Sequence, residues 1–323
     1  MKAIVIREYG GPEVLKYEDA PDPMPGAGEI LVDQTTMGVN FADVMMRQGK
    51  YFIKPELPAV PGFEGAGTVT AVGESVEGIS VGRRVAYVMS LGAYAEKNVI
   101  PAANAVPLPE AISDEVAGSS LLRGMTAQYL VNSTYAVSET DTVLVQSAAG
   151  GVGTLLVQWA KHLGATVIGT VGSPEKAALA KRLGCDHVIN YTTEDFAGEV
   201  LAFTGGKGAS VVYDAVGQTT FDSNIKALAV RGYFVNYGAS SGPLPPIDSG
   251  QINSKSLFFN KSSLPHYVIT AEERSTRAQE FFDLVAQGVI DPEISHVYPL
   301  AEAAQAHIDI ASRKTMGSVA LKV

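Results

Sequence analysis

The sequence predicts an α/β chain in which a doubly wound parallel sheet is joined to a smaller, β-rich, partly open barrel. Three observations carry that prediction. An apolar run, Thr142-Val143-Leu144-Val145, breaks into the glycine-rich turn Ser147-Ala148-Ala149-Gly150-Gly151-Val152-Gly153 and then into a helical pattern over residues 155–160. From Asp141 onward, apolar strand runs and helical stretches alternate, whereas the first third holds short apolar runs between Gly and Pro without a helical rhythm. At 323 residues the chain exceeds the size at which a single core stops growing, so two domains are expected.

Taken in order, residues 29–35, 67–72 and 81–88 read as barrel strands, each bounded by turn residues. Ser113-Asp114-Glu115 sets a capping side chain and two carboxylates before a helix over residues 116–131. Strands follow over residues 143–145, 166–170, 188–190, 211–215 and 233–237, with helical stretches between the first several. Amphipathic helices are expected over residues 277–287 and 301–311, and a final strand over residues 318–323 is expected to return to the first domain.

Composition narrows the function. Apolar residues make up 46% and charged residues 18%, which suits a buried α/β core and excludes wholesale disorder. A net charge of −10 without a Lys/Arg block disfavours nucleic acid or an anionic membrane as partner. Cys185 is the single cysteine, so neither an intrachain disulfide nor a cysteine-based structural zinc site can form, and its setting suits a buried thiol. The apolar run at residues 3–6 is too short for a signal peptide, and no segment reaches transmembrane length. A cytoplasmic protein is expected.

A strand, a glycine turn and a helix start form an anion site, because the backbone can approach a pyrophosphate and unpaired N–H groups meet it at the positive end of the helix dipole. Ala148, Gly150 and Gly153 follow the dinucleotide spacing with Ala in the first place. The carboxylate that would hold an NAD ribose is missing after the next strand, where Val171-Gly172-Ser173-Pro174-Glu175-Lys176 stands. Ser173 can donate to a 2′-phosphate and Lys176 can neutralise it, which favours NADPH. Ser173 followed by Pro174 is equally a helix start, and the two readings are compatible.

With these residues in place, the chain resembles the zinc-independent NADPH:quinone oxidoreductases, the zeta-crystallin-like branch of the medium-chain dehydrogenase/reductase superfamily. The resemblance rests on Gly10-Gly11-Pro12-Glu13-Val14-Leu15, Gly38-Val39-Asn40-Phe41-Ala42-Asp43, Pro61-Gly62-Phe63-Glu64-Gly65-Ala66-Gly67, the glycine turn, and Val212-Tyr213-Asp214-Ala215-Val216-Gly217, in the right order. It implies a GroES-like catalytic domain over residues 1–124, an NADPH-binding Rossmann domain over residues 125–265, and a segment over residues 266–323 that returns to the first. Zinc-dependent relatives carry Cys where this chain has Asn40 and His where it has Phe63. Hydride transfer would then proceed without a metal, to an acceptor that is already electrophilic, such as a quinone.

The same resemblance assigns Gly150, Gly151, Val152 and Gly153 to the pyrophosphate. Ser173, Lys176, Tyr191 and Arg313 fall to the 2′-phosphate and adenosine ribose. Asn40, Asp43 and Thr126 face the nicotinamide half, with Val216 and the Gly238-Ala239-Ser240 turn closing it, and Tyr51 faces the substrate. Asn40, Asp43 and Tyr51 are the catalytic candidates. Met45 stands where a near relative has Tyr.

Plainer roles remain open for several of these. Tyr51 donates to a quinone oxygen or covers a loop, and Asn40 orients the cofactor or satisfies a turn. Asp43 accepts from a ribose or pairs with Arg47 one helical turn on. Arg313 contacts phosphate or caps a helix C-terminus. Glu64 reads as structural, and the five histidines (His162, His187, His266, His296 and His307) lack ligand spacing. A homodimer is expected. Two other functions stay in view: reduction of enoyl or alkenal double bonds, and a weakly catalytic NADPH-binding or RNA-binding role, the latter opposed by the acidic balance.

Overall fold

The structure, a computed structural model, describes all 323 residues and divides into two compact units. The first comprises Met1–Arg123, Val268–Ala286 and Pro292–Val323; the second comprises Gly124–Tyr267 and Gln287–Asp291.

The first unit opens with β1 (Lys2–Val5) and β2 (Lys16–Asp19), an antiparallel pair. β3 (Glu29–Gly38) runs into α1 (Phe41–Arg47), followed by β4 (Glu64–Val72), β5 (Arg84–Val88), β6 (Lys97–Pro101) and β7 (Ala105–Pro107). α2 (Asp114–Tyr129) starts on Ser113, whose Oγ accepts from the Val116 N–H at 3.2 Å. Its first turn carries Asp114 and Glu115, the signs a helix N-terminus favours.

The second unit alternates strand and helix. β8 (Thr142–Val145), α3 (Gly151–His162), β9 (Thr166–Val171), α4 (Pro174–Arg182), β10 (His187–Asn190) and α5 (Phe196–Phe203) come first. β11 (Ala209–Asp214), α6 (Phe221–Ala227), β12 (Leu228–Asn236), α7 (Ser249–Asn253) and β13 (Phe258–Lys261) complete it. The strands form one sheet in the order β10-β9-β8-β11-β12-β13, and every pairing is parallel. Sequence order reverses between β8 and β11, the switch point beside which such sheets bind ligands at their carboxyl ends. Val143, Leu144 and Val145 are all buried, as a strand covered on both faces requires.

Helix α8 (Ala271–Ala286), β14 (Ile294–Pro299), α9 (Ala303–Ala311) and β15 (Ser318–Lys322) follow in the chain. They belong to the first unit, whose main sheet has the order β14-β15-β3-β4-β5-β7, with β6 also pairing β3. Its core gathers Ile4, Val32, Val69, Val85, Tyr94 and Leu321. The doubly wound sheet and the β-rich unit are as the sequence predicts.

Boundaries differ in three instructive places. α3 starts at Gly151 rather than at residue 155, because its glycines are the first helical turn itself. α8 starts at Ala271 rather than at residue 277: its first turns, Ala271-Glu272-Glu273-Arg274, carry no apolar period. β13 is an added edge strand that the sequence pattern does not show. No helix is long and apolar enough to cross a membrane.

Candidate functional site

The glycine turn is anchored from beneath. Gln146 donates through Nε2 to Asn224 at 2.7 Å and accepts from the Thr170 hydroxyl at 2.6 Å. Thr170 also receives the Ser147 N–H at its hydroxyl and the Ala148 N–H at its carbonyl, so β9 fixes the base of the turn. Ser147 takes φ +59°, a left-handed conformation that a side chain tolerates at a cost of about 1 kcal/mol. A Cβ on Gly153 would overlap the Ser147 carbonyl oxygen, and one on Gly150 would meet Ser147 Oγ at 2.9 Å. Thr154 makes the first helical bond, to Gly150. The N–H groups of Gly151, Val152 and Gly153 therefore lead the helix without an acceptor in it, an arrangement suited to a phosphate.

β9 ends at Val171, and no carboxylate follows until the exposed Glu175. Ser173 caps α4, its Oγ accepting from the Lys176 backbone N–H at 3.3 Å. The same hydroxyl bonds the Glu175 carboxylate, whose pKa is lowered by its own backbone N–H and by this Ser173 contact. Gly172 leaves room for the Tyr191 hydroxyl, which a Cβ there would meet at 2.5 Å. Ser173 and Lys176 thus lie at the start of α4 and Tyr191 against Gly172, all in the second unit. Arg313 lies in the first unit, exposed at the end of α9 with φ +59° and its N–H on the Ile310 carbonyl, as a helix-terminal residue does.

Beyond β11, Asp214 organises the turn that carries Val216. Its carboxylate accepts from the N–H groups of Val216 and Gly217 at 3.0 Å each, from Thr220 Oγ1 at 2.9 Å and from Asn236 Nδ2 at 2.8 Å. Lys261 at the end of β13 donates to Asn236 Oδ1. Ser240 donates its N–H to the Ala215 carbonyl at 3.1 Å, and Gly238 packs so closely on Ala215 that a Cβ would meet its carbonyl oxygen at 2.5 Å. Thr126 is buried on α2 in the same unit.

In the first unit the remaining candidates share a buried polar cluster. Asn40 caps α1, and Asp43 three residues on accepts its N–H at Oδ2, 2.6 Å away. The Asn40 amide donates to Glu64 Oε1 at 2.8 Å, while Glu64 Oε2 accepts the Leu122 N–H at 2.8 Å. Arg123 donates to the carbonyls of Ser119 and Val39. Burial raises the Glu64 pKa above the usual carboxylate range, against the pull of Arg123 and Asn40. Asp43 does not pair with Arg47. It turns to the Tyr94 hydroxyl, which donates to Oδ2 at 3.1 Å and lies 3.1 Å from His307 Nε2. Burial, with the Glu64 charge adding, pushes the Asp43 carboxyl up to about 7.

Tyr51 is partly buried against Phe63, ring centroids 5.6 Å apart, and burial together with the Asp43 charge lifts its hydroxyl to about 12. It therefore stays a hydrogen-bond donor at neutral pH. Phe63 offers no donor atom and the Asn40 amide is committed to Glu64, so these two positions do not make a zinc site. No three His, Cys, Asp or Glu side chains converge to hold a metal ion. Cys185 is buried and its thiol is pushed up to about 12, which makes it inert.

Sequence reasoning missed Asp214, Tyr94 and His307. The first sits inside a quoted motif and could have been found there. His307 meets Tyr94 across 213 positions, and no local pattern reports such a contact.

Comparison with known proteins adds an independent line. Residues 26–110 match the model of the alcohol dehydrogenase GroES-like domain, and residues 151–287 match that of the zinc-binding dehydrogenases. The chain is 44% identical to a quinone oxidoreductase of Pseudomonas aeruginosa over 99% of both chains. It is 42% identical to a 2-haloacrylate reductase of a Burkholderia species over 99% of this chain and 98% of that one. Among solved structures, quinone oxidoreductase of Escherichia coli complexed with NADPH superposes with a TM-score of 0.97 at 41% identity, covering 100% of both chains.

Proposed function

The chain belongs to the quinone oxidoreductases of the medium-chain dehydrogenase/reductase superfamily, and we propose that it reduces quinones with NADPH by hydride transfer that needs no zinc. The observation that carries the cofactor choice is the end of β9, where a capped helix brings Ser173 and Lys176 and no carboxylate stands before Glu175, at the place where an NAD ribose would be held. The acceptor choice follows from Asn40 and Phe63. Without a Lewis acid at those positions, the substrate must already be electrophilic.

NADPH supplies the hydride and its electron pair when bound. The N–H groups of Gly151, Val152 and Gly153, with the positive end of α3, would hold the pyrophosphate, and Gly150 lets the backbone approach it. Ser173, Lys176, Tyr191 and Arg313 are proposed for the 2′-phosphate and adenosine ribose. Asn40, Asp43, Thr126, Val216, Gly238 and Ser240 are proposed for the nicotinamide half. Tyr51 would donate to a quinone oxygen. Orientation of the two reactants is the protein's main contribution to rate.

Likeness to a 2-haloacrylate reductase favours a second reading, reduction of an activated carbon–carbon double bond. Steady-state kcat/KM for benzoquinones, 2-alkenals and 2-chloroacrylate, each with NADPH, separates the two. Quinones are expected to lead; alkenes turned over faster would move the assignment. NADPH binding without oxidation by any of them would leave a binding protein. A homodimer is part of the proposal, supported by edge strand β13, which exposes Phe258 and Phe259 beside unpaired backbone.

A further inference from the structure

Gln146, Thr170, Asp214, Asn224 and Asn236 are each at most 1% exposed, yet all five are polar. All lie in the second unit. Burial of such groups is tolerated when they are hydrogen-bonded, and a satisfied network then holds the elements it joins in one arrangement.

Their donors and acceptors make one circuit. The Thr170 hydroxyl receives the Ser147 N–H and gives its single hydrogen to Gln146 Oε1, so the Gln146 amide turns Nε2 toward Asn224 Oδ1. Asn224 lies on α6, where its own N–H donates to the Thr220 carbonyl at 2.8 Å. Thr220 Oγ1 shares its hydrogen between Asp214 Oδ1 at 2.9 Å and the Gly217 carbonyl at 3.1 Å. The Asp214 carboxylate holds the N–H groups of Val216 and Gly217. A second strut runs along the backbone, from the Gln146 N–H to the carbonyl of Tyr213, which precedes Asp214. The circuit thus begins under the glycine turn and ends under Val216. Asn224 Nδ2 alone has no partner. Turning that amide would set two donors face to face, so Asn224 gives up one bond in order to hold Gln146.

We infer that Gln146 and Asn224 are positioning residues for the cofactor: they tie the turn proposed for the pyrophosphate to the turn proposed for the nicotinamide half, so that a loosening at either is felt at the other. The inference rests on that reading of the two turns. Both side chains are buried and act only through the backbone of the turns above them. Ser173, Lys176 and Tyr191, proposed for the adenosine end, make no bond to the circuit's side chains and keep their places without it.

The test uses the full chain and three variants: Gln146→Leu, Thr170→Val, and Thr170→Ser, which keeps the hydroxyl. Fluorescence titration should show NADPH and NADH weakened alike, about 10-fold, in Gln146→Leu and Thr170→Val, with Thr170→Ser near wild type. Adenosine 2′-monophosphate, which carries neither pyrophosphate nor nicotinamide, should bind every variant within about twofold of wild type. Hydrogen–deuterium exchange without cofactor reads the tie itself. In Gln146→Leu and Thr170→Val, exchange should quicken about 10-fold over both residues 146–150 and residues 216–220, and stay unchanged in β10. Thr170→Val, set against Thr170→Ser, decides alone should Gln146→Leu fail to fold. Faster exchange at one turn only, wild-type cofactor affinities, or an equal loss for adenosine 2′-monophosphate overturns the inference and leaves quinone reduction standing. Should Gly153→Ala bind both cofactors as the wild type does, the glycine turn is not the pyrophosphate site, and the inference falls with that reading.

Discussion

Burying Asp43 without a cation in contact has a thermodynamic signature. Its carboxyl pKa is raised from 3.8 to about 7, so the folded chain holds a proton that the unfolded chain would release. The stability this confers is complete below pH ~4 and is lost as pH rises to ~7, by on the order of 4 kcal/mol for the isolated shift. Asp43→Asn should flatten the melting temperature over that range; an unchanged slope would assign it to another carboxyl. Lys176→Ala should weaken NADPH about 10–100-fold, with little effect on NADH, in fluorescence titrations. Equal losses for the two cofactors would remove Lys176 from the 2′-phosphate. Asn40 and Ser173 were legible because each performs a local task as a helix cap, whereas the local partner read for Asp43 was Arg47 and the structure gives it the Asn40 N–H instead. Tyr94 and His307 were not legible, because burial and a long-range contact give them their chemistry.

Strand-by-strand reading succeeded where the period was clear. β8, β9 and β11 are short apolar runs between turns, and their burial on both faces is what makes such runs visible. β13 was invisible because Phe258-Phe259-Asn260-Lys261 neither alternates nor runs apolar; it stands on the sheet edge with three of its four residues exposed. The start of α3 was hidden for the opposite reason, since glycine is a poor helix former and reads as turn. Gly153→Ala tests that element. Its Cβ would press on the Ser147 carbonyl, so the turn must shift. A loss of ~1–3 kcal/mol is expected by chemical denaturation, with NADPH and NADH weakened alike. A stability equal to wild type would mean that the turn yields freely.

For the whole molecule, the exposed edge at β13 makes a prediction about assembly. Phe258→Glu with Phe259→Glu places like charges along that edge, and light scattering should show the proposed dimer falling to a monomer. A dimer that persists would place the interface elsewhere. Connectivity has a different consequence, one of timing. Thr36, Met37 and Gly38 pair with Lys322, Leu321 and Ala320, and the Val39 N–H donates to the Val319 carbonyl, one residue before Asn40. A ribosome makes about 5–20 residues per second, so this corner waits roughly a quarter of a minute to a minute for its partner strand. The second unit, apart from five residues, is a continuous stretch that can fold as it emerges. During synthesis the proposed phosphate cradle can therefore form early, while the β-rich unit that carries Asn40 stays open-edged until β15 arrives.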